Sequence, residues 1–370
     1  MTRLTEKGEK KMSNAPFKVG VVRPGGLGSP SIRELNRLPE TDLVAVLAYS
    51  PEKEGKDIGD LIGIDPIGVN ATTDFDAFLA SDATTVIFTA RDYGGFEADE
   101  PIIRLFEAGK NVSPPSLCLS MGARWRCGGT ASGRRRKRRR PLYGTGITPG
   151  FFNEKLAMLM TNVTNDVTHI HMQELFNAAD MADSLDLLNL FGFGGPLEAA
   201  ENNPAVETLA QNYLIQPIHY AADQLGITVE RIERISQHAT TSTDIETPVM
   251  TVKAGTVGLI SFKWVGYADG KPFYTTEVFW YLGEAMRPSF ATCDDFWTVT
   301  IEGRPSVRVS VESKASMLTG DKFLNGDMTS PGYYMTVVAM VQAIPTVEAA
   351  APGIFVPAMP EGHWKRDMRD

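Results

Sequence analysis

The chain has 370 residues, 43% hydrophobic and 22% charged, with a formal net charge of −9. That length holds two domains or one large one, the composition excludes a disordered chain, and no apolar run approaches the roughly 18 residues of a membrane-spanning helix. The charge is uneven: residues 113–140 hold nine of the 36 basic residues and no acidic one, so the rest of the chain carries −18.

Residues 1–15 are polar and lack the apolar stretch of a secretion signal, so a disordered tail is expected, with Met12 as an alternative start. Residues 17–22 (FKVGVV) read as a short buried strand. A Gly-rich turn follows, Arg23-Pro24-Gly25-Gly26-Leu27-Gly28, and then a helix with Ser29 as N-cap and Pro30 in its first position. Residues 43–49 and 84–89 are further strands, and a helix near 97–108 closes at Gly109. Strands alternating with helices predict an α/β Rossmann domain with a parallel sheet over 16–145.

Beyond Gly150 the pattern changes. Phe152, Leu156, Leu159, Met160 and Val163 suggest one face of a helix over 152–163. A strand is expected at 167–175 and a helix at 205–226. Strand and turn fill 246–312, with a hairpin at Asp269-Gly270. This predicts an α+β domain with a largely antiparallel sheet over 146–330. A last helix at about 333–343 and a Pro-rich tail make up 331–360.

The turn after the first strand carries a partial dinucleotide fingerprint. Its glycines allow a tight turn and close approach of a pyrophosphate to a helix N-terminus. Gly25 and Gly28 fill the second and third positions, and Arg23 stands where the first glycine belongs. The candidate cofactor-binding residues are Arg23, Gly25, Gly26, Leu27 and Gly28. To these are added Ser50 and Lys53 past the second strand, Thr89 and Ala90 past the strand at 84–89, and Thr148. No acid ends the second strand to take both ribose hydroxyls, whereas Ser50 and Lys53 suit a 2′-phosphate. NADP is therefore preferred, with NAD also accommodated. Candidate catalytic residues are Glu174, Asp180 and Thr145. Alternation puts Glu174 on the apolar face of its strand with Ile170 and Met172, where burial would raise its pKa. His169, His171 and Gln173 fall on the other face. The two histidines read as solvated, because no third metal ligand is evident.

Taken together, RPGGLG (23–28), AYSPEKEGKDIGDL (48–61), VIFTA (86–90), YGTGITPGFFNEKL (143–156), QELF (173–176), GFGGP (192–196), IEGRPSVRV (301–309) and AIPTVEAAAPGI (343–354) resemble the dihydrodipicolinate reductase-like proteins. Within them the chain is most similar to the branch of 2,4-diaminopentanoate dehydrogenases and NAD(P)H-dependent amine dehydrogenases. The resemblance implies hydride transfer between a nicotinamide cofactor and a small amine, imine or carbonyl substrate. It also implies a homodimer or higher homo-oligomer and a final helix returning to the first domain. The E-x-H-H-x-x-K motif of true dihydrodipicolinate reductases is absent: Glu174 is followed by Phe176, Asn177 and Asp180 at the matching positions.

The resemblance stops near Val112 and resumes at Leu142. The stretch between is rich in Arg, Cys, Trp and Gly and shows no helical period, which reads as a local frame shift in the coding sequence. A real basic loop binding nucleic acid is the rival, but the acidic body would repel such a partner beyond a Debye length. A catalytically impaired dinucleotide-binding paralogue or regulator is the other alternative. Three cysteines (Cys118, Cys127, Cys293) suit a reducing cytosol better than a disulfide framework. The expected partners are a small-molecule substrate and further copies of the chain, with neither a membrane nor a nucleic acid.

Overall fold

The computed structural model describes residues 15–90, 98–113, 141–179, 185–204, 206, 213–291, 296–318 and 329–355. Asp180, all three cysteines and the basic run at 124–140 lie outside the described residues.

The first sheet takes β1 (Phe17–Val22), β2 (Thr41–Leu47), β3 (Ala71–Thr72), β4 (Thr85–Phe88), β5 (Asn111–Ser113), β6 (Pro141–Leu142) and, from the far end of the chain, Gly353–Ile354. All neighbours pair parallel, with β1 between β2 and β4. The order β3-β2-β1-β4-β5-β6 is that of a Rossmann sheet, extended at one edge by the terminal strand. Helices α1 (Gly28–Arg37), α2 (Ile58–Ile62), α3 (Phe75–Leu79) and α4 (Asp99–Glu107) connect the strands. Strands with both faces covered are apolar, which is why β1 from Val19 and β4 from Val86 read as hydrophobic runs. On one face Val22, Leu47, Val86 and Phe88 meet Phe78, Ile102, Leu105 and Phe106. On the other, Val19, Val21 and Ile87 meet Ile32 and Leu35 of α1, with Val337, Met340, Val341 and Ile344 from the C-terminal region.

The chain leaves β6 through Tyr143–Gly146 and enters a helical segment of two runs, Ile147–Leu156 with wide turns and Ala157–Met160, together α5. Thr148, Pro149 and Gly150 inside it are not helical; the Thr148–Pro149 peptide is cis, and Gly150 sits at φ 132°. The helix face expected over 152–163 holds only in part. Phe152 and Met158 are buried, but Leu159 is 46% and Val163 59% exposed. The helix ends at Met160, and 161–163 form a tighter turn.

The second domain is a mixed sheet of β7 (Asn165–Asn177), β8 (Arg231–Ser236), β9 (Ala239–Thr240), β12 (Val257–Ala268), β13 (Lys271–Tyr281), β14 (Phe296–Arg304) and β15 (Val307–Glu312). A separate two-stranded ribbon is made by β10 (Ile245–Glu246) and β11 (Thr251–Val252), and the terminal Gly353–Ile354 is β16. All pairs of the second sheet are antiparallel except β13 with β7. Asp269 and Gly270, both at positive φ, turn the β12–β13 hairpin as the sequence predicts. Helices α6 (Leu185–Phe191), α7 (Leu197–Glu201) and α8 (Gln216–Leu225) follow β7 in the chain. In the stretch expected to be helical over 205–226, α8 is the described helix. One apolar core joins α5, α8 and the inner sheet face, and Phe152 stacks on Trp297 with centroids 4.6 Å apart. The chain then returns through α9 (Pro331–Gln342) and α10 (Ile344–Ala349), so part of the expected Pro-rich tail is helical. No helix among the described residues is long and apolar enough to cross a membrane.

Candidate active site

The turn after β1 is built around one close approach. A Cβ on Gly28 would stand 2.1 Å from the Arg23 carbonyl oxygen, so only glycine fits. Arg23 adopts φ 67°, the left-handed region that a first glycine would otherwise occupy at less strain. The Thr89 hydroxyl lies 2.7 Å from the Val22 carbonyl oxygen and 2.8 Å from that of Arg23, and donates to this pair. Thr89, a candidate cofactor-binding residue, thus ties the end of β4 to the turn. Ala90 follows it, half-buried.

α1 begins at Gly28 behind Leu27, one residue before the N-cap expected at Ser29, so Ser29 and Pro30 lie inside the first turn. No side chain caps this end, and its first turn holds no acid. Nothing lies within 4 Å of where a Gly25 Cβ would stand. Open space beside Gly25, a helix start that no side chain caps and a first turn without an acid fit a pyrophosphate. The residues that would hold a dinucleotide here are Arg23, Gly25, Gly26, Leu27 and Gly28.

At the neighbouring strand end, Ser50 and Lys53 flank a short turn, Pro51–Lys53, and both are half-buried. Lys53 makes no ion pair with a described residue. Sequence reasoning passed over Tyr49. Its ring is 53% exposed, and the phenol feels two opposed influences: partial burial raises its pKa and the Arg23 guanidinium lowers it. Tyr49 and Arg23 are thus neighbours at the expected adenosine end. The signal available was an aromatic residue immediately past a buried strand.

The hinge holds the second set of candidates. Thr145 and Thr148 have buried hydroxyls without a hydrogen-bond partner. Asn153, fully buried in α5, leaves both amide atoms unmatched, as does the Tyr220 hydroxyl on α8. Tyr220 is pushed up to about 12, by burial first and then by Glu154 and Tyr143. Asn153 and Tyr220 were missed from sequence because each lies in an apolar helical pattern. Glu174 is buried on the inner face of β7, as alternation predicts. Trp280 and Trp297 each donate an indole N–H to it at 2.8 Å. Burial raises its pKa, opposed by the two indoles and the nearby Thr148 hydroxyl, which does not close a hydrogen bond.

The other face of β7 departs from expectation. His169 and His171 are half-buried rather than freely solvated: their Nε2 atoms lie 2.8 Å from Thr275 and Glu277. Lys263 and Gln173 join Glu277 at 2.9 and 3.1 Å. No group of three or more metal-ligating side chains gathers among the described residues.

The family model for the 2,4-diaminopentanoate dehydrogenase C-terminal domain matches residues 155–361. The chain belongs to the 2,4-diaminopentanoate dehydrogenase family. Membership makes it an NAD(P)-dependent oxidoreductase. An amine dehydrogenase from Streptomyces virginiae is 27% identical over 355 residues, covering 90% of this chain and 92% of the relative. The structure of an amine dehydrogenase from Mycobacterium smegmatis shares the fold, with a TM-score of 0.74 at 20% identity over 93% of this chain and 97% of that one. A scyllo-inositol dehydrogenase from Lactobacillus casei, in its form with NAD(H) and scyllo-inositol, gives a TM-score of 0.52 at 15% identity over 90% and 89%.

Proposed function

We propose that the chain is an NADP(H)-preferring amine dehydrogenase, interconverting a small amine with its imine and, after hydrolysis, with a carbonyl compound and ammonia. The observation that carries this reading is the Gly28 turn. It is a dinucleotide loop closed on Arg23 at the end of β1, in a chain whose second domain belongs to a dehydrogenase family. A bound nicotinamide dinucleotide supplies or accepts the hydride.

The chain's own residues bind and orient. The unpartnered Thr145 and Thr148 hydroxyls, on the segment joining the domains, are the groups free to hold a substrate nitrogen or oxygen. Glu174, with each oxygen filled by an indole N–H, is a positioning residue behind Thr148. The wall formed by Phe152 and Trp297 excludes water from that side. Lys53 and Ser50 favour the extra phosphate of NADP(H), since β2 ends without the carboxylate that would take both ribose hydroxyls. The likeness to amine dehydrogenases supports the substrate class. A cytosolic homodimer or larger homo-oligomer completes the proposal, and sedimentation of the purified chain reads its size.

The deciding experiment follows NADPH and NADH oxidation with ammonia and a panel of aldehydes and ketones, using protein whose residues 113–140 are verified by peptide mapping. Turnover that requires both ammonia and a carbonyl supports the reading. Dinucleotide binding without turnover across the panel overturns it in favour of a dinucleotide-binding regulator.

A further inference from the structure

A groove of about 440 Å³ lies where α5 of the second domain meets α9 and α10, which return to the first. Its apolar walls are Ile147 and Phe151 on one side and Met335, Val338, Ala339 and Ala343 on the other. None of the dinucleotide-loop residues lines it, nor do Ser50, Lys53 or Thr89. Volumes of about 300–1,000 Å³, mostly apolar and set between domains, are those of small-molecule sites.

Its polar lining is Ser313, Tyr334, Gln342, Thr346 and two lysines, and its charged groups are of one sign. Two lysines, Lys155 and Lys314, line it and no acid does. Lys314 is occupied by Glu312 at 2.5 Å. The Tyr334 hydroxyl is occupied too, donating to Glu34 at 2.6 Å. Lys155 makes no ion pair with any described residue. Its ammonium stands 5.0 Å above the ring of the buried Tyr143, which fixes the cation beside the apolar wall. A half-buried cation, held in place, unpaired and adjoining an apolar groove, is complementary to an anion carrying an apolar body.

We propose that this groove binds an organic anion with an apolar body, of the class of a medium-chain or aryl carboxylate. The carboxylate meets Lys155 over Tyr143, and the chain lies between Phe151 and Ala339. The site is separate from the dinucleotide loop and stands whether or not the chain turns over amines.

The test is calorimetric titration of the full-length chain, without dinucleotide, using decanoate, decan-1-ol and decylammonium below their micellar concentrations. Decanoate is expected to bind saturably and at least about tenfold more tightly than the other two, the scale of one charge-assisted contact. Lys155→Met removes that preference while leaving decan-1-ol within about twofold, since only the head-group contact is lost. Ala339→Trp, at a half-exposed position on the groove wall, abolishes binding of all three. Should that variant fail to fold, Lys155→Met alone decides, because Lys155 lies outside the core. Equal binding of the three probes, no saturable binding, or unchanged decanoate affinity in Lys155→Met overturns the proposal. So does a shift of Ala339→Trp toward monomer in sedimentation without decanoate binding, which would make the groove a contact between copies of the chain.

Discussion

At the scale of single residues, the Gly-rich turn after β1 depends on one atom that must be missing. Gly28→Ala places a methyl group 2.1 Å from the Arg23 carbonyl oxygen, and neither is a flexible side chain that can give way. Overpacking of this kind costs about 1–3 kcal/mol. The loop must also reshape, so NADPH affinity should fall by at least about tenfold, read by fluorescence titration beside the thermal midpoint. Thr89→Val is a milder probe of the same loop. It keeps the volume and removes the hydroxyl that donates to Val22 and Arg23, with an expected loss of about 1 kcal/mol. Equal dinucleotide affinity in both variants and the parent would mean that the turn does not carry the cofactor. Glu174→Gln probes the hinge. One indole would then face an amide NH₂ in place of an acceptor, and an unmatched buried donor costs about 1–3 kcal/mol. A positioning role predicts lower stability together with a lower kcat at unchanged KM for the dinucleotide.

At the scale of elements, β7 divides the second domain chemically, and this division sets the pH response. His169 is held at about 4 against an ordinary 6.5, chiefly by burial and then by His171. Glu277 is held at about 2 against 4.5: burial alone would raise it, but hydrogen bonds from His171, Lys263 and Gln173 outweigh that. Between pH 6.5 and 4 the unfolded chain protonates His169 while the folded chain resists. This contribution is complete above pH 6.5 and erodes as pH falls toward 4. Glu277 then adds a loss of its own, from about 4.5 downward. His169→Asn should flatten the first part of the curve of thermal midpoint against pH, and Glu277→Gln the second. Identical curves for the parent and His169→Asn would remove His169 from the account. The alternation of this strand was readable from sequence because a period of two survives wherever one sheet face is buried. What lies across from His171 was not readable, since Glu277 is 106 residues further on. The same limit applies at the site: the Gly turn was visible as a local pattern, whereas the Thr89 clasp crosses 67 residues to Val22. Helical spacing likewise placed Leu159 and Val163 on a buried face, yet the helix ends at Met160 and leaves both exposed.

At the scale of the whole molecule, the first domain is completed by the last part of the chain. Val337, Met340, Val341 and Ile344 lie buried in the core that α1 shares with β1 and β2. Tyr334 donates to Glu34 on α1, and Glu348 accepts from Thr85 at the start of β4. β16 supplies the strand beside β6. Full burial of four such side chains is worth about 6–12 kcal/mol, at about 1.5–3 each. That is comparable to the entire stability of a domain, about 5–15 kcal/mol. A chain stopped at Ser330 keeps every residue assigned to the dinucleotide and should nevertheless lose NADPH binding, because α1 and β1 would have no cover on one face. Met340→Ala removes one of the four and should lower stability by about 2–5 kcal/mol. It leaves the loop intact, so NADPH at about a hundred times its Kd should still restore about 2.7 kcal/mol by mass action. Calorimetric scans of both proteins with and without NADPH separate the two effects. A truncated chain that binds NADPH like the full one would show that the C-terminal return is accessory and that the first domain stands alone.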